Sequence, residues 1–182
     1  MSWFAFRVFG LGRGCVATLV LACISIATTS AARADCENPQ VWRTYHNDRF
    51  GTEVMLPVDC LEIQPPPANG DGQTFVAPNG VASVSVFGSH NSTGSKLGAI
   101  RQSMLAAPAY GEVTYSPSGS NWFVLSGYRD NAIYYDKYIL SHDGQILNGM
   151  LVTYSPAVKE MFEPIVERME NTFKAGVGIG TP

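Results

Sequence analysis

Residues 121–156 read NWFVLSGYRDNAIYYDKYILSHDGQILNGMLVTYSP, and this stretch limits the possible folds more than any other. Three runs, 122–128, 132–141 and 146–154, are rich in Val, Ile, Tyr, Phe and Trp. Those side chains fit a pleated surface, and the run lengths suit strands rather than helices. They predict three consecutive antiparallel strands. Asp143-Gly144 is the two-residue signature of a type I′ hairpin, in which both central residues take φ > 0. Arg129-Asp130-Asn131 offers a slightly longer turn. Alternation is imperfect. In the second run Tyr134, Tyr138 and Leu140 share a face with Asp136, while Ile133, Tyr135 and Ile139 share the other with Lys137. In the third, Ile146, Met150, Val152 and Tyr154 oppose Leu147 and Leu151. A sheet wet on one side alternates more cleanly, so both faces are expected to be at least partly covered.

A cover follows directly. Val158, Met161, Phe162, Ile165, Val166, Met169 and Phe173 step by three and four residues into one apolar stripe, with Lys159, Glu160, Glu163, Glu167, Arg168, Glu170 and Lys174 on the other side. This predicts an amphipathic helix lying on the protein's own sheet, its acidic residues forming a solvated face. Ser155 is a natural N-cap with Pro156 at the first helical position. Pro164 removes a helix hydrogen bond and predicts a kink or a restart.

Upstream, residues 35–48 are polar, with Trp42 and Tyr45 as anchors onto the domain. Residues 49–57 read as the first strand, stopped by Pro57, and 60–63 as its continuation after a bend. Pro65-Pro66-Pro67 is extended and cannot donate to a sheet ladder. With Asn69-Gly70-Asp71-Gly72 it makes a loop. Residues 73–77 and 81–88 form a second hairpin around Pro78-Asn79-Gly80. A helix is predicted over 95–107, capped by Ser95 and ended by Pro108, then a short strand over 111–116. The order is β, β-hairpin, α, β, β-meander, α: an α+β domain with a largely antiparallel β-sheet covered by two main helices.

The first 34 residues read as a cleaved signal peptide. Arg7 and Arg13 make a positive start, an apolar run covers 15–27, and Ala32-Arg33-Ala34 fits a small-x-small cleavage site. A membrane anchor fits less well, because the apolar core is shorter than the ~20 residues needed to span. A lipoprotein modified at Cys23 is a poorer match still, since Leu21 is large for its position. Removing 34 of the 182 residues leaves 148, enough for a single domain with its own core over 35–174. Residues 175–182 carry no packing pattern and read as a disordered tail. The chain has 12 Lys and Arg against 15 Asp and Glu. The leader takes Arg7, Arg13 and Arg33 and no acid, so the mature charge is −6. That argues against a basic nucleic-acid-binding face, and no further segment of the mature chain reads as transmembrane. Export predicts a periplasmic or secreted protein in which Cys36 and Cys60, the two cysteines left, form one disulfide.

The search for chemistry is mostly negative. His46, His90 and His142 stand at no metal-ligand spacing, and no cysteine lies at zinc-finger distance from them. There is no G-x-S-x-G, and Ser126-Gly127 falls inside a strand. Gly70-Asp71-Gly72 lacks a P-loop's lysine and helix. Asn69, Asp71 and Gln73 could offer oxygens to calcium but have no EF-hand register. No catalytic residue, cofactor or metal ligand is assigned. Trp122, Tyr128, Arg129, Tyr134 and Tyr135 remain as a possible binding surface, since Tyr and Trp are common interface anchors; they are equally ordinary as cross-strand pairs.

Several blocks carry a resemblance: FGTEVMLP (50–57), PPPANGDGQTF (65–75), NWFVLSGY (121–128) and the YSP…FEPIVERMENTF ending (154–173). Together they resemble a group of exported proteobacterial proteins. In element order these are similar to the PsbP-like fold of the extrinsic photosystem II subunit and of DcrB-type envelope proteins. The resemblance implies an α/β/α sandwich on an antiparallel sheet and brings no activity with it. The reading at this level is an exported, non-enzymatic binding or accessory module whose partner is an envelope protein or small ligand. The alternatives are a hydrolase or other enzyme with a site built from loop residues such as His90, Asp71 and His142, and an adventitious or regulatory metal site.

Overall fold

The computed structural model describes residues 36–141 and 143–176. The leader assigned to 1–34, with Cys23, and also His142 and residues 177–182 lie outside the described residues. Seven strands form one sheet in the order β3-β4-β5-β9-β8-β7-β6, every neighbouring pair antiparallel. In chain order these are β3 (Glu62–Ile63), β4 (Gly72–Val76), β5 (Ala82–His90), β6 (Glu112–Tyr115), β7 (Trp122–Arg129), β8 (Ala132–Leu140) and β9 (Ile146–Tyr154). A separate hairpin pairs β1 (Trp42–His46) with β2 (Glu53–Pro57). Helix α1 (Leu97–Leu105) lies between β5 and β6 in sequence, and α2 (Lys159–Thr172) follows β9. The expected α+β class, with a mostly antiparallel sheet and two helices, is the one observed.

The meander β7-β8-β9 is continuous as predicted, but its two turns exchange lengths. Arg129 pairs with Ala132, so Asp130 (φ 51°) and Asn131 (φ 61°) alone make the tight turn. The connection around Asp143-Gly144 is longer: the Ser141 N–H donates to the Ile146 carbonyl, leaving four residues between. Four other features differ from expectation. Residues 42–46 form a strand, read from sequence as anchored polar loop. The first predicted strand starts four residues later, at Glu53, and Glu62–Ile63 joins the large sheet instead of continuing β2. Helix α1 starts after Lys96 with no side-chain cap; the Ser95 hydroxyl lies 2.7 Å from that of Thr93.

Both sheet faces are covered, by different elements. On one face α2 and the β1-β2 hairpin pack Val54, Leu56, Phe162, Ile165, Val166 and Met169 onto Val84, Val86, Met150 and Val152. Trp42 and Tyr45 pack against this layer as the predicted anchors. On the other face α1 and the following 3-10 turn bring Leu97, Ile100, Met104, Leu105 and Tyr110 onto Phe123, Leu125, Tyr134 and Tyr138. The Ser155 side chain accepts from the Ala157 N–H at 3.3 Å, capping a 3-10 turn (Pro156–Val158) that leads into α2. The helix then runs on through Pro164 to Thr172, with no restart there.

Two ties bind the ends of the domain. Cys36 and Cys60 form a disulfide (S–S 2.02 Å, Cα–Cα 4.7 Å), which fastens the first described residue to the turn after β2; closing a loop of that length stabilises by about 3 kcal/mol in the chain-entropy account. Asn148, fully buried on β9, accepts at Oδ1 from the Thr52 hydroxyl at 2.6 Å and from the Gly176 N–H at 3.2 Å. Its Nδ2 donates to the Ile139 carbonyl at 3.3 Å. Backbone pairing of Lys174 with Glu53 and the burial of Gly176 carry the packing into the segment assigned to the tail.

Candidate functional site

Strand period two decides which of the candidate residues can act together. On β7, Trp122, Ser126 and Tyr128 point toward the α2 face; on β8, Ile133, Tyr135 and Lys137 do so too. Arg129 and Tyr134 point to the α1 face. The five-residue surface Trp122, Tyr128, Arg129, Tyr134 and Tyr135 is therefore split by the sheet. Tyr134 has no exposed area at all. Trp122 is half-buried, with the Lys137 ammonium 5.3 Å above its ring.

Tyr128 and Tyr135 do come together, in a groove that sequence reasoning did not delineate. Helix α2 packs on β2, β8 and β9 and stops short of the β6-β7 side of the sheet. The uncovered strip and the flank of α2 enclose a groove of about 310 Å³. Thr114, Ser126, Tyr128, Tyr135 and Tyr154 line the strand side, and Glu163, Glu167 and Glu170 the helix side. Those glutamates recur at helical spacing beside the buried stripe; Glu163 and Glu167 are exposed, as a solvated face predicts, and with half-buried Glu170 they also flank the strip. The signal that could have found them is that acidic run adjoining, not opposing, Val166.

Charge in the groove is partly matched. Lys159 Nζ lies 3.5 Å from Glu163, and Lys137 Nζ donates to Glu170 at 3.0 Å. Burial raises the Tyr135 hydroxyl pKa, helped by its hydrogen bond to Glu170 and by that carboxylate's charge. Tyr154, stacked on Phe162 with centroids 5.8 Å apart, is pushed up to about 12, by burial first and then by the Glu163 charge. These tyrosines are therefore neutral hydrogen-bonding rings at any physiological pH. Tyr128, 45% exposed, offers an open ring face at the groove's rim. A wider depression of about 630 Å³ at the start of α2, between Glu37 and residues 156–161, has no aromatic floor.

Behind the sheet, under α1, lies a polar cluster of a different kind. Asp136 is 1% exposed in mid-strand, with Oδ2 3.7 Å from the Arg129 guanidinium and Oδ1 without a hydrogen-bond partner. Burial pushes its pKa up to about 7 against the opposing pull of Arg129. Arg129 also lies 4.6 Å over the Tyr134 ring, whose hydroxyl is buried and unpartnered. The Tyr110 and Tyr138 hydroxyls bond to each other at 2.8 Å.

The other residues singled out from sequence are occupied locally. The His90 ring packs edge-on against Phe50 with centroids 5.1 Å apart. Asp71 accepts from the Asn69 amide at 2.8 Å, and the Gln73 amide donates to the Gln64 and Thr74 carbonyls. Among the described residues no group of three or more His, Cys, Asp or Glu side chains gathers to hold a metal ion, and no helix is long and apolar enough to cross a membrane.

Comparison of the fold finds an architectural match. The chain is similar to the solution structure of cyanobacterial PsbP (CyanoP) from Synechocystis sp. PCC 6803, with a TM-score of 0.54 over 74% of this chain and 92% of that one. The fold is PsbP-like. At 9% identity the likeness concerns the fold alone. No protein-family model and no curated protein matches the sequence. The PsbP-like sandwich thus supplies the scaffold, while the groove beside α2 is described from this chain's own residues.

Proposed function

We propose that this protein is an exported, non-enzymatic binding or accessory module of the bacterial envelope, and that the groove between α2 and the β6-β7-β8 strip is its contact surface. It belongs by this reading with the exported proteobacterial proteins that its sequence blocks resemble, working in the periplasm or after secretion. The Cys36–Cys60 disulfide supports an oxidising compartment. One observation carries the assignment of the site: the exposed Tyr128, the half-buried Tyr135 and a row of carboxylates converge on a single recess at the edge of the sheet. Convergent polar groups around an aromatic floor are the usual anatomy of a recognition site.

The test fills the groove. Thr114 is exposed on the edge strand and lines the recess, so Thr114→Trp occupies it from the side without entering either core layer. Capture from a periplasmic extract is compared for the wild type and this variant, with circular dichroism confirming an unchanged fold. The expected result is a partner or small ligand retained by the wild type and lost by the variant. Equal capture by both, or turnover of a defined substrate by the purified protein, removes the proposal.

A further inference from the structure

We infer that the groove holds one cationic side chain, arginine in preference to lysine, presented by an extended segment lying along the β6 edge. This rests on the groove being the contact surface. Glu163, Glu167 and Glu170 occupy one flank of α2 at successive turns. Glu163 has Lys159 and Glu170 has Lys137. Glu167, between them, has no ion-pair partner among the described residues, and it has a like charge one turn away on either side. Like charges at that spacing are unfavourable on an isolated helix, and an arriving cation relieves the repulsion. An anionic group would meet three carboxylates against two lysines already engaged by Glu163 and Glu170.

The floor favours the same occupant. Tyr128 turns an open ring to the recess, and Tyr115, 56% exposed, stands farther out on the edge strand. A cation over a tyrosine face is attracted by the ring quadrupole. Guanidinium adds a planar surface that stacks and a fork of N–H donors that matches a carboxylate; an ammonium is a compact, strongly hydrated point charge. At about 310 Å³ the groove has room for one such side chain and its stem.

Why an extended segment follows from the sheet order. Among the described residues β6 is the outermost strand on this side, and its outer backbone groups have no strand partner there. A segment added there would place every second side chain on the α2 side, over Thr114 and toward Glu167. The edge supplies sequence-independent backbone pairing, and the groove reads the charge.

The experiment uses the full disulfide-bonded chain and two blocked pentapeptides of threonine and valine around one central residue, arginine or its neutral isostere citrulline. Two-dimensional NMR titration to about 5 mM peptide covers a millimolar site. The arginine peptide should give saturable shifts at Thr114, Tyr128 and Glu167. The citrulline peptide should bind about 5-fold or more weakly, the size expected of one exposed ion pair with a cation–π contact. Glu167→Gln should lower arginine-peptide affinity by a smaller factor, about 2-fold or more, because the cation–π contact remains, and leave the citrulline peptide unchanged, while Glu160→Gln, outside the groove, alters neither. No saturable shift, equal affinity for the two peptides, or an unchanged Glu167→Gln variant overturns the inference. Concentration-dependent self-association that Thr114→Trp abolishes also overturns it, because the occupant is then a second copy. If Thr114→Trp loses its captured partner while both peptides bind alike, the groove reading stands and the cation falls. If Thr114→Trp changes neither capture nor peptide shifts, both fall.

Discussion

Asp136 is the described carboxylate whose environment departs furthest from that of its free amino acid. Its only ion pair among the described residues is the 3.7 Å approach of Arg129, too long for a good hydrogen bond, and burial outweighs it, leaving the pKa at about 7 against an ordinary 3.8. A carboxyl raised in the folded state prefers to be protonated there. Its contribution to stability is therefore fully present at low pH, declines as the unfolded chain ionises, and is lost by the time pH passes through the folded value. For this group alone, stability should fall by about 2–3 kcal/mol between about pH 5 and pH 8. Asp136→Asn cannot ionise, so urea denaturation at the two pH values should give a smaller fall than in the wild type and a more stable protein at the higher one. An unchanged pH dependence would mean that Asp136 is not the group responsible.

Among the elements around the groove, β6 has the least to hold it. It is four residues long, mostly exposed, and its register with β7 shifts between Val113 and Tyr115. Gly127 is what lets it approach: a Cβ there would collide with the Glu112 carbonyl. Gly127→Ala should therefore detach β6 and open the groove's outer wall. Hydrogen exchange is the measurement, with faster exchange expected at Val113 and Tyr115 and unchanged protection in β9, at an overall cost of about 1–3 kcal/mol. The same scale shows what could be read from sequence. The meander, the α2 stripe and the two covered faces were legible because apolar periodicity sets them. Strand β1 was not, because WRTYH is mostly exposed and contributes only Trp42 and Tyr45 to the core. The turns exchanged lengths because Asp130-Asn131 and Asp143-Gly144 can both reach positive φ, and cross-strand register chooses between them. In the site, Tyr128 and Tyr135 were legible as aromatics. Their separation from Arg129 and Tyr134 follows from strand parity. The glutamate wall was hidden because a helical stripe does not reveal how far the sheet extends beyond the helix.

For the whole molecule Asn148 is the common tie of hairpin, sheet and C-terminal segment. One buried amide joins Thr52 just before β2, the β8 backbone and Gly176 after α2. Asn148→Ala strands the Thr52 hydroxyl and the Gly176 N–H away from water. The expected loss is about 2–4 kcal/mol in chemical denaturation. Double-mutant analysis with Thr52→Val should recover part of it, and strict additivity would show that the two do not act as a unit.

The β5-β9 pairing has a kinetic consequence. It runs the full nine residues from Ala82 with Tyr154 to His90 with Ile146, joining chain segments with α1, β6, β7 and β8 between them. Hairpin β4-β5 and meander β7-β8-β9 assemble from sequence neighbours, but that seam must close a long loop before any contact is returned. Two locally formed sheets meeting along one line give a folding rate set by the encounter, on the order of milliseconds to seconds for a topology dominated by distant strand pairs.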